Sequence, residues 1–169
     1  MPDSAIRPAR SEDAGAIRAI YAFHVAHGTA TFDTEAPDES VWRDRIADVT
    51  ARGWPFLVAQ WSGAVIAFAY AIQFRDRAAY ALTCEDSIYV AEAMRGQRVG
   101  QALLGSLVEA ARVAGFEQMI AVIGGDEPAS VGVHEALGFV HAGRLHEVGL
   151  KFGRKLDTIY MQRALVPAP

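Results

Sequence analysis

Apolar residues recur along this chain at two spacings, and together they predict a mixture of helices and strands. From Val99 onward, apolar side chains return at Leu103 and Leu107, which places them on one face of a helix. Residues 87–91 are instead mostly apolar and partly β-branched without that spacing, as in a buried strand. We therefore expect both element types in one chain.

Helical spacing, with its flanking polar and glycine residues, predicts four helices. They run from Ser11 to near Gly28, from Asp38 to Gly53, from Val99 to near Gly115, and from Ser130 to Leu137. Ser11 is expected to cap the first helix. The second helix is expected to turn Val41, Ile46 and Val49 inward.

The other apolar runs predict six to seven strands, and residues 29–33 are expected to be extended. The strand segments are 5–9, 56–59, 65–71, 83–91, 116–123, 139–148 and 158–165. Ser62 and Gly63 suit the tight turn of a hairpin. The element order is β-α-α-β-β-β-α-β-α-β-β. Because it contains hairpins, it predicts an α/β fold with a mixed central sheet flanked by about four helices.

Length and composition favour one globular domain. We place it at residues 5–165, with a loose C-terminal tail at 166–169. Of the 169 residues, 51% are hydrophobic and 21% charged, which excludes a disordered chain. The net charge of −4 and the absence of a Lys/Arg run argue against a nucleic-acid partner.

The sequence also limits where in the cell the protein is expected and whether it is expected to hold a metal. No apolar stretch reaches the ~18–20 residues of a membrane helix, and the N-terminus has no signal-peptide core. The single cysteine, Cys84, excludes an internal disulfide and a cysteine-built metal site, and we expect it in the core. The chain is accordingly expected in the cytoplasm, without a membrane partner or a metal.

A loop between a predicted strand and a predicted helix is the strongest ligand signal. Gly96, Gly100 and Ala102 are small enough to let a ligand approach the backbone. The unpaired N–H groups of the helix start favour an anion there. Neither GxxxxGK[ST] nor GxGxxG is present.

This loop resembles the acyl-CoA pyrophosphate loop of the GNAT acyltransferase superfamily, [RQ]-x-x-G-x-[GA]. Arg95 and Gly100 match the ends of the pattern, whereas its inner glycine is Arg98 here. Four further blocks are similar to the phosphinothricin N-acetyltransferase-like branch of the superfamily. They are FRDRAAY at 74–80, TCEDSIYV at 83–90, VHEALGF at 133–139 and VGLKFGRKLD at 148–157. The match runs in register from about Ile6 to Leu165.

The resemblance implies the GNAT acyl-CoA N-acyltransferase fold, a homodimer, and acetyl-CoA as co-substrate. The acceptor it implies is the α-amine of a small anionic amino-acid analogue, of the phosphinothricin or methionine sulfoximine and sulfone type. The cofactor-binding residues it implies are Ile88, Tyr89, Val90, Arg95, Gly96, Gln97, Arg98, Val99, Gly100, Gln101, Ala102, Glu127 and Ser130. Ile88 and Val90 would act through their backbone groups.

The sequence departs from this branch at three further positions. Glu127 stands where the branch often has an Asn that helps to hold the cofactor. Leu150 replaces a Tyr, and Lys155 replaces a Trp. These two changes concern the shape of the amine pocket more than the chemistry.

Glu85 is the candidate general base. An alkyl ammonium must lose a proton before its nitrogen can attack, and a carboxylate can accept that proton directly or through water. The resemblance places the base at this position as well. The alternative is a surface carboxylate with a basic neighbour.

His134 is the candidate donor of a proton to the departing thiolate of CoA. In the wider superfamily a Tyr often occupies this position. The alternative, which the sequence favours equally, is a helix histidine hydrogen-bonded to the backbone.

Five residues are candidates for binding the acceptor. Arg75 and Arg77 lie on one polar loop, and their spacing suits a carboxylate or phosphinate, although exposed loop arginines are often merely solvated. Phe32 and Tyr80 are expected to line the acceptor pocket; the alternative is that they belong to the core. Lys151 either contacts the anionic substrate or a partner subunit, or is simply solvated. Of these alternatives we favour a solvated Lys151.

Two alternatives to this function remain open at the level of sequence. One is a GNAT acetyltransferase for another small amine or for a peptide N-terminus. The other is a non-catalytic module that binds acyl-CoA, motivated by Arg98 and Glu127. Retention of Glu85 argues against the second.

Overall fold

The computed structural model describes residues 4–125 and 127–167 as a single seven-stranded sheet with helices on both faces. The strands are β1 Ser4–Pro8, β2 Phe56–Trp61, β3 Ala64–Gln73, β4 Thr83–Val90, β5 Gln118–Gly124, β6 Val140–Lys151 and β7 Arg154–Ala164. The helices are α1 Ala14–His27, α2 Glu39–Ala51, α3 Val99–Val113 and α4 Pro128–Ala136. This confirms the predicted mixed α/β fold and the predicted order of elements. The domain limits stay a prediction, and residues 168–169 of the expected tail lie outside the described part.

The sheet order is β1-β2-β3-β4-β5-β7-β6, and one neighbouring pair, β4 with β5, is parallel. That pairing joins Thr83–Asp86 only to Gln118–Ala121. On its other side, β5 remains paired with β7 as far as Gly124 opposite Thr158. The two central strands therefore separate after Asp86, and a gap opens inside the sheet.

Strand β3 shows how the sequence divides the core between the two faces of the sheet. Ala67, Ala69 and Ala71 belong to the cluster that contains the apolar face of α3. Phe68 and Tyr70 alternate with them and pack in the cluster of α1 and α2. Small residues thus face α3, and aromatic residues face α1 and α2.

Details of the first two helices differ from the prediction. Val41 is 43% exposed, and Trp42 is turned inward with 1% exposure. Trp42, Ile46 and Val49 are the residues that form the buried stripe, at helical spacing. Ser11 begins a short 3₁₀ segment and does not cap α1, since the Asp13 carboxylate accepts the Arg10 N–H at 2.8 Å.

The loops confirm one predicted turn and correct one predicted segment. Ser62 and Gly63 have φ of 49° and 83°, and they join β2 to β3. Positive φ at both central residues is the geometry of a type I′ hairpin turn. Residues 29–33 form no strand and instead make a loop between α1 and α2.

Candidate active site

The gap between β4 and β5 exposes one backbone edge of β4. The Ala91 N–H donates to Ile66 O of β3 at 2.8 Å, so it faces the paired edge. Because alternate residues of a strand direct their backbone groups to opposite edges, those of Ile88 and Val90 face the gap. An extended ligand can pair with such an edge as an added strand does.

One end of the gap opens into a cavity of about 370 Å³, hereafter the cofactor cavity. It is lined by most of the residues predicted to bind the cofactor, namely Ile88, Val90, Arg95, Gly96, Arg98, Val99, Gly100, Gln101, Glu127 and Ser130. Tyr89, Gln97 and Ala102 do not line it. The Tyr89 ring packs edge-on against Tyr21 in the core, and the Gln97 amide donates to Ala93 O.

The start of α3 gives this cavity its preference for an anion. The first turn of a helix leaves N–H groups without helical partners, here those of Val99, Gly100 and Gln101. Arg98 precedes them with φ of 61°, in the left-handed region. The backbone thus keeps a conformation that favours glycine, although the residue is arginine. These groups and the nearby arginines fit the pyrophosphate of a CoA ester.

His24 also lines the cofactor cavity, although the sequence analysis did not single it out. Its Nε2 lies 3.0 Å from Val90 O, and its Nδ1 lies 3.4 Å from an Arg95 nitrogen. Since a guanidinium only donates, Nδ1 accepts and Nε2 carries the proton. Burial lowers the pKa of His24, which agrees with this neutral form. The ring thereby fixes both the Val90 carbonyl and Arg95.

The second cavity, hereafter the acceptor cavity, has a volume of about 240 Å³ and adjoins the first. Ala30, Ile88 and Ser130 line both cavities. Glu85 and His134 also line the acceptor cavity, so the two predicted catalytic residues are brought together.

Glu85 is a partly buried carboxylate on β4, and not the fully exposed group of the alternative reading. Burial raises its pKa, the charge of Asp86 raises it further, and Arg75 opposes both. A carboxylate whose pKa is raised is a better proton acceptor when it is ionised.

His134 is buried on α4, and both of its ring nitrogens contact the protein. Nδ1 lies 2.7 Å from Ser130 O, and Nε2 lies 3.1 Å from Asp86 Oδ2. The backbone-bonded alternative therefore describes this geometry, and donation to a thiolate would require one of these bonds to break. Asp86 was missed because a lone acid beside Glu85 carries no spacing signal.

The loop of residues 29–33 forms one wall of the acceptor cavity. The Phe32 ring lies over two glycines, where a Cβ at Gly124 or Gly149 would come within 2.7 Å or 2.4 Å of it. Lys151 supports the loop from behind, since its buried Nζ donates to Thr31 O at 2.8 Å. Burial lowers the pKa of this ammonium, and the expectation of a solvated Lys151 was wrong.

The predicted anion-binding loop lies outside both cavities. Arg75, Arg77 and Tyr80 are exposed and line neither one. The Gln73 amide donates to Arg75 O at 2.6 Å and to Arg77 O at 2.9 Å, which holds the loop in a compact turn. Arg75 is nevertheless close enough to Glu85 to lower its pKa.

Among residues 4–125 and 127–167, no helix combines the length and the apolar character that a membrane span needs. The same residues contain no group of three or more His, Cys, Asp or Glu side chains arranged to hold a metal ion.

Comparison with known proteins identifies the family. Residues 6–160 match the Acetyltransferase (GNAT) domain. The chain belongs to the GNAT acetyltransferase family. It is 46% identical to a phosphinothricin N-acetyltransferase of Alcaligenes faecalis, across 95% of this chain and 82% of that protein. It is 39% identical to an L-methionine sulfoximine/L-methionine sulfone acetyltransferase of Pseudomonas paraeruginosa, across 97% and 96%.

A solved structure supports the same assignment. A phosphinothricin acetyltransferase of Sinorhizobium meliloti in complex with acetyl-CoA superposes with a TM-score of 0.93 at 44% identity. The match covers 96% of this chain and 88% of that one. This GNAT protein is an acetyl-CoA-dependent N-acetyltransferase, with acetyl-CoA as co-substrate.

The structure shows where the residues lie at which this GNAT enzyme differs from its branch. Glu127 accepts a hydrogen bond from the Thr29 hydroxyl at 2.8 Å, so it ties α4 to the loop of residues 29–33. Leu150 is 70% exposed, and exposed Lys155 pairs with Glu147 at 3.0 Å. Neither of the two lines the acceptor cavity, so they do not shape its walls in this chain.

The Phe32 ring packs directly against Gly124 and Gly149, so a larger residue at either position is predicted to weaken acceptor binding. In Gly149→Ala the new methyl occupies the ring position, so Phe32 must move. We expect KM for the acceptor to rise about 10-fold or more, the range of roughly 1–3 kcal/mol for overpacking. Acetyl-CoA affinity, measured by calorimetry, should stay unchanged.

Gly143→Ala is the matched control for that variant. Gly143 lies on the same strand, β6, and an added Cβ there meets no atom within 4 Å. An equal rise of KM in both variants would show that β6, and not the position of Phe32, causes the effect.

Proposed function

We propose that this enzyme acetylates the α-amine of a small anionic amino-acid analogue, with Glu85 as general base. The observation that carries the proposal is the partly buried Glu85 carboxylate in a cavity that adjoins the cofactor cavity. Relatives named for phosphinothricin and for methionine sulfoximine and sulfone support the acceptor class.

The transfer takes place by direct attack, without an enzyme nucleophile. Acetyl-CoA supplies the acetyl group as a thioester, the neutral amine nitrogen attacks its carbonyl, and the C–S bond breaks so that CoA leaves as the thiolate. The proton that the nitrogen loses after the attack then converts this thiolate to the thiol. Glu85 takes the amine proton directly or through one water. The free N–H groups along the β4 edge, at Ile88 and Val90, stabilise negative charge on the carbonyl oxygen.

The anionic end of the acceptor is assigned to the loop that carries Arg75 and Arg77. Both guanidiniums are exposed and sit on the chain segment immediately before β4, the strand of Glu85. Arginine holds a carboxylate or phosphinate with paired charge-assisted hydrogen bonds. Because neither arginine lines the acceptor cavity, the loop would have to move toward it to hold the acceptor.

The homodimer is proposed to form along β6. This strand ends the sheet, and large apolar side chains remain exposed on it, including Val140, Val148 and Leu150. A long exposed apolar edge strand is a natural site for pairing with a second copy. A sedimentation mass equal to the 18.2 kDa of one chain at micromolar concentration would refute the dimer.

Replacement of Glu85 by glutamine tests the general base. Gln keeps the size of the side chain and most of its hydrogen bonding but removes the basicity. We expect kcat to fall about 10²–10⁴-fold with acetyl-CoA affinity little changed. Activity should recover partly at high pH, where more acceptor amine is already neutral.

Glu109→Gln provides the control for this measurement, because Glu109 is an exposed acid that pairs with Arg112 on the outside of α3. Thiol release from acetyl-CoA gives the rate. Near-full kcat of the Glu85→Gln enzyme at neutral pH would remove Glu85 as the base.

Replacement of Arg77 by alanine tests the acceptor charge. If Arg77 holds an anion, KM for the amino acid should rise roughly 10- to 100-fold, since a charge-assisted bond is worth ~1.5–3 kcal/mol. KM for the neutral amide of the same amino acid should change little. Equal losses for both acceptors would contradict an anion clamp and favour another amine or a peptide N-terminus as acceptor.

A further inference from the structure

A buried acid–histidine pair lies directly beside the proposed base. Asp86 and His134 have side chains that are each 2% exposed, and Nε2 lies 3.1 Å from Oδ2. The ring of His134 is also fixed by the Phe139 ring, which meets it edge-on at 4.9 Å between centroids. The pair joins β4 to α4 across the wall of the acceptor cavity.

A count of protons shows that this pair holds one more proton than a neutral histidine and an ionised carboxylate together. The Ser130 carbonyl can only accept, so Nδ1 at 2.7 Å must carry a hydrogen. In a neutral ring Nε2 would then present a lone pair to Asp86 Oδ2, and two lone pairs repel. One proton must therefore lie between Nε2 and Oδ2, and it resides on Nε2 because an imidazole is more basic than a carboxylate.

The electrostatics of the site agree with that count. Burial lowers the pKa of His134, but the Asp86 hydrogen bond and charge, with the Ser130 carbonyl, outweigh it and raise the pKa above its ordinary value. A histidine with a raised pKa stays protonated to higher pH. The direction of this change favours retention of the shared proton, although the groups are buried.

The charge state of this pair bears on Glu85. Asp86 on the same strand and Arg75 on the preceding loop are the charged groups that act on Glu85. Asp86 itself faces His134 from α4 and Cys84 from its own strand. An uncompensated charge on Asp86 would oppose ionisation of Glu85, because two adjacent carboxylates repel.

The strands on either side add no charge at this point. Asp86 lies opposite Ala71 of β3 and Ala121 of β5, neither of which titrates. His134 is therefore the group placed to compensate Asp86.

We propose that Asp86 and His134 share one buried proton and act as a positioning pair, which limits the negative charge beside Glu85 and keeps Glu85 ionised at neutral pH. This inference rests on the proposed role of Glu85 as base. His134 then serves the reaction through Asp86, and its ring nitrogens need not reach the thiolate.

Nuclear magnetic resonance of the histidine ring nitrogens tests the shared proton directly. In the wild-type enzyme, labelled with ¹⁵N-histidine and assigned with His134→Gln, we expect the His134 ring to remain protonated from about pH 6 to pH 8, above the ordinary pKa of ~6.5. In Asp86→Asn the amide can still donate to Nε2, so the ring should become neutral in that window. A wild-type His134 that titrates near its ordinary value overturns the proposal.

Two variants test the effect on Glu85 with different expected results. Asp86→Asn removes the carboxylate and with it the extra proton of His134, so the net charge of the pair stays zero and the titration midpoint of Glu85 should change little. His134→Gln leaves the Asp86 charge uncompensated, so the midpoint should move up. The midpoint is followed by ¹³C-glutamate carboxyl shifts, and the acidic limb of kcat/KM should move with it. Asp48→Asn, an exposed acid of α2, is the control and should move neither.

The outcomes separate this inference from the proposed function. Full kcat in Glu85→Gln removes the base but leaves the His134 and Glu85 titrations of the other proteins unchanged. A Glu85 midpoint that stays fixed in His134→Gln, or that rises equally in Asp86→Asn, overturns the positioning pair even if Glu85 is the base. The wild-type ¹⁵N spectrum decides the shared proton even if one variant fails to fold.

Discussion

The arrangement of the site depends on the short parallel contact between β4 and β5. Those strands share four paired positions and then separate, while each remains bonded to an antiparallel neighbour on its outer side. Backbone groups left without partners at depth are costly unless something satisfies them. The gap is therefore a place where the sheet can accept a ligand, and the residues proposed for the reaction surround it.

The ionisable side chains around that gap are buried or partly buried, so each needs a polar or charged partner. Glu85 has Arg75, Asp86 has His134, and the neutral His24 bridges a carbonyl and a guanidinium. Buried charges are tolerated only when they are paired and hydrogen-bonded. The site is therefore built from paired groups, and a change in one group alters the electrostatic environment of its partner.

Much of the fold followed from periodicity, because helix α3 and strand β4 each bury a regular pattern. The same pattern misplaced Val41, since Trp42, and not Val41, lies four residues before Ile46 on the buried face of the helix. The strand β6 extends to Lys151, beyond the predicted end at residue 148, because the positive φ of Phe152 and Gly153 allows a second tight hairpin. Propensity alone does not assign a left-handed conformation to phenylalanine.

The cofactor cavity was largely predictable, since a loop and a helix start lie close together in sequence. The residue pairs that support the acceptor cavity and its loop were not predictable, because their members meet only in the tertiary structure. Asp86 with His134, and Thr29 with Glu127, are separated by 48 and 98 residues. No spacing in a single sequence distinguishes such pairs from ordinary polar residues.

The loop of residues 29–33 serves as a wall shared between two ligands. Its Thr29 is bonded to Glu127 of the cofactor cavity, and its Phe32 covers the acceptor cavity. A ligand that orders this loop from one side removes part of the entropy that the other would otherwise lose. Linkage is reciprocal, so the free energy that acetyl-CoA contributes to the acceptor equals the free energy that the acceptor contributes to acetyl-CoA. Coupling carried by this loop adds to the direct contact between amine and thioester that the transfer requires, and it acts equally in both directions.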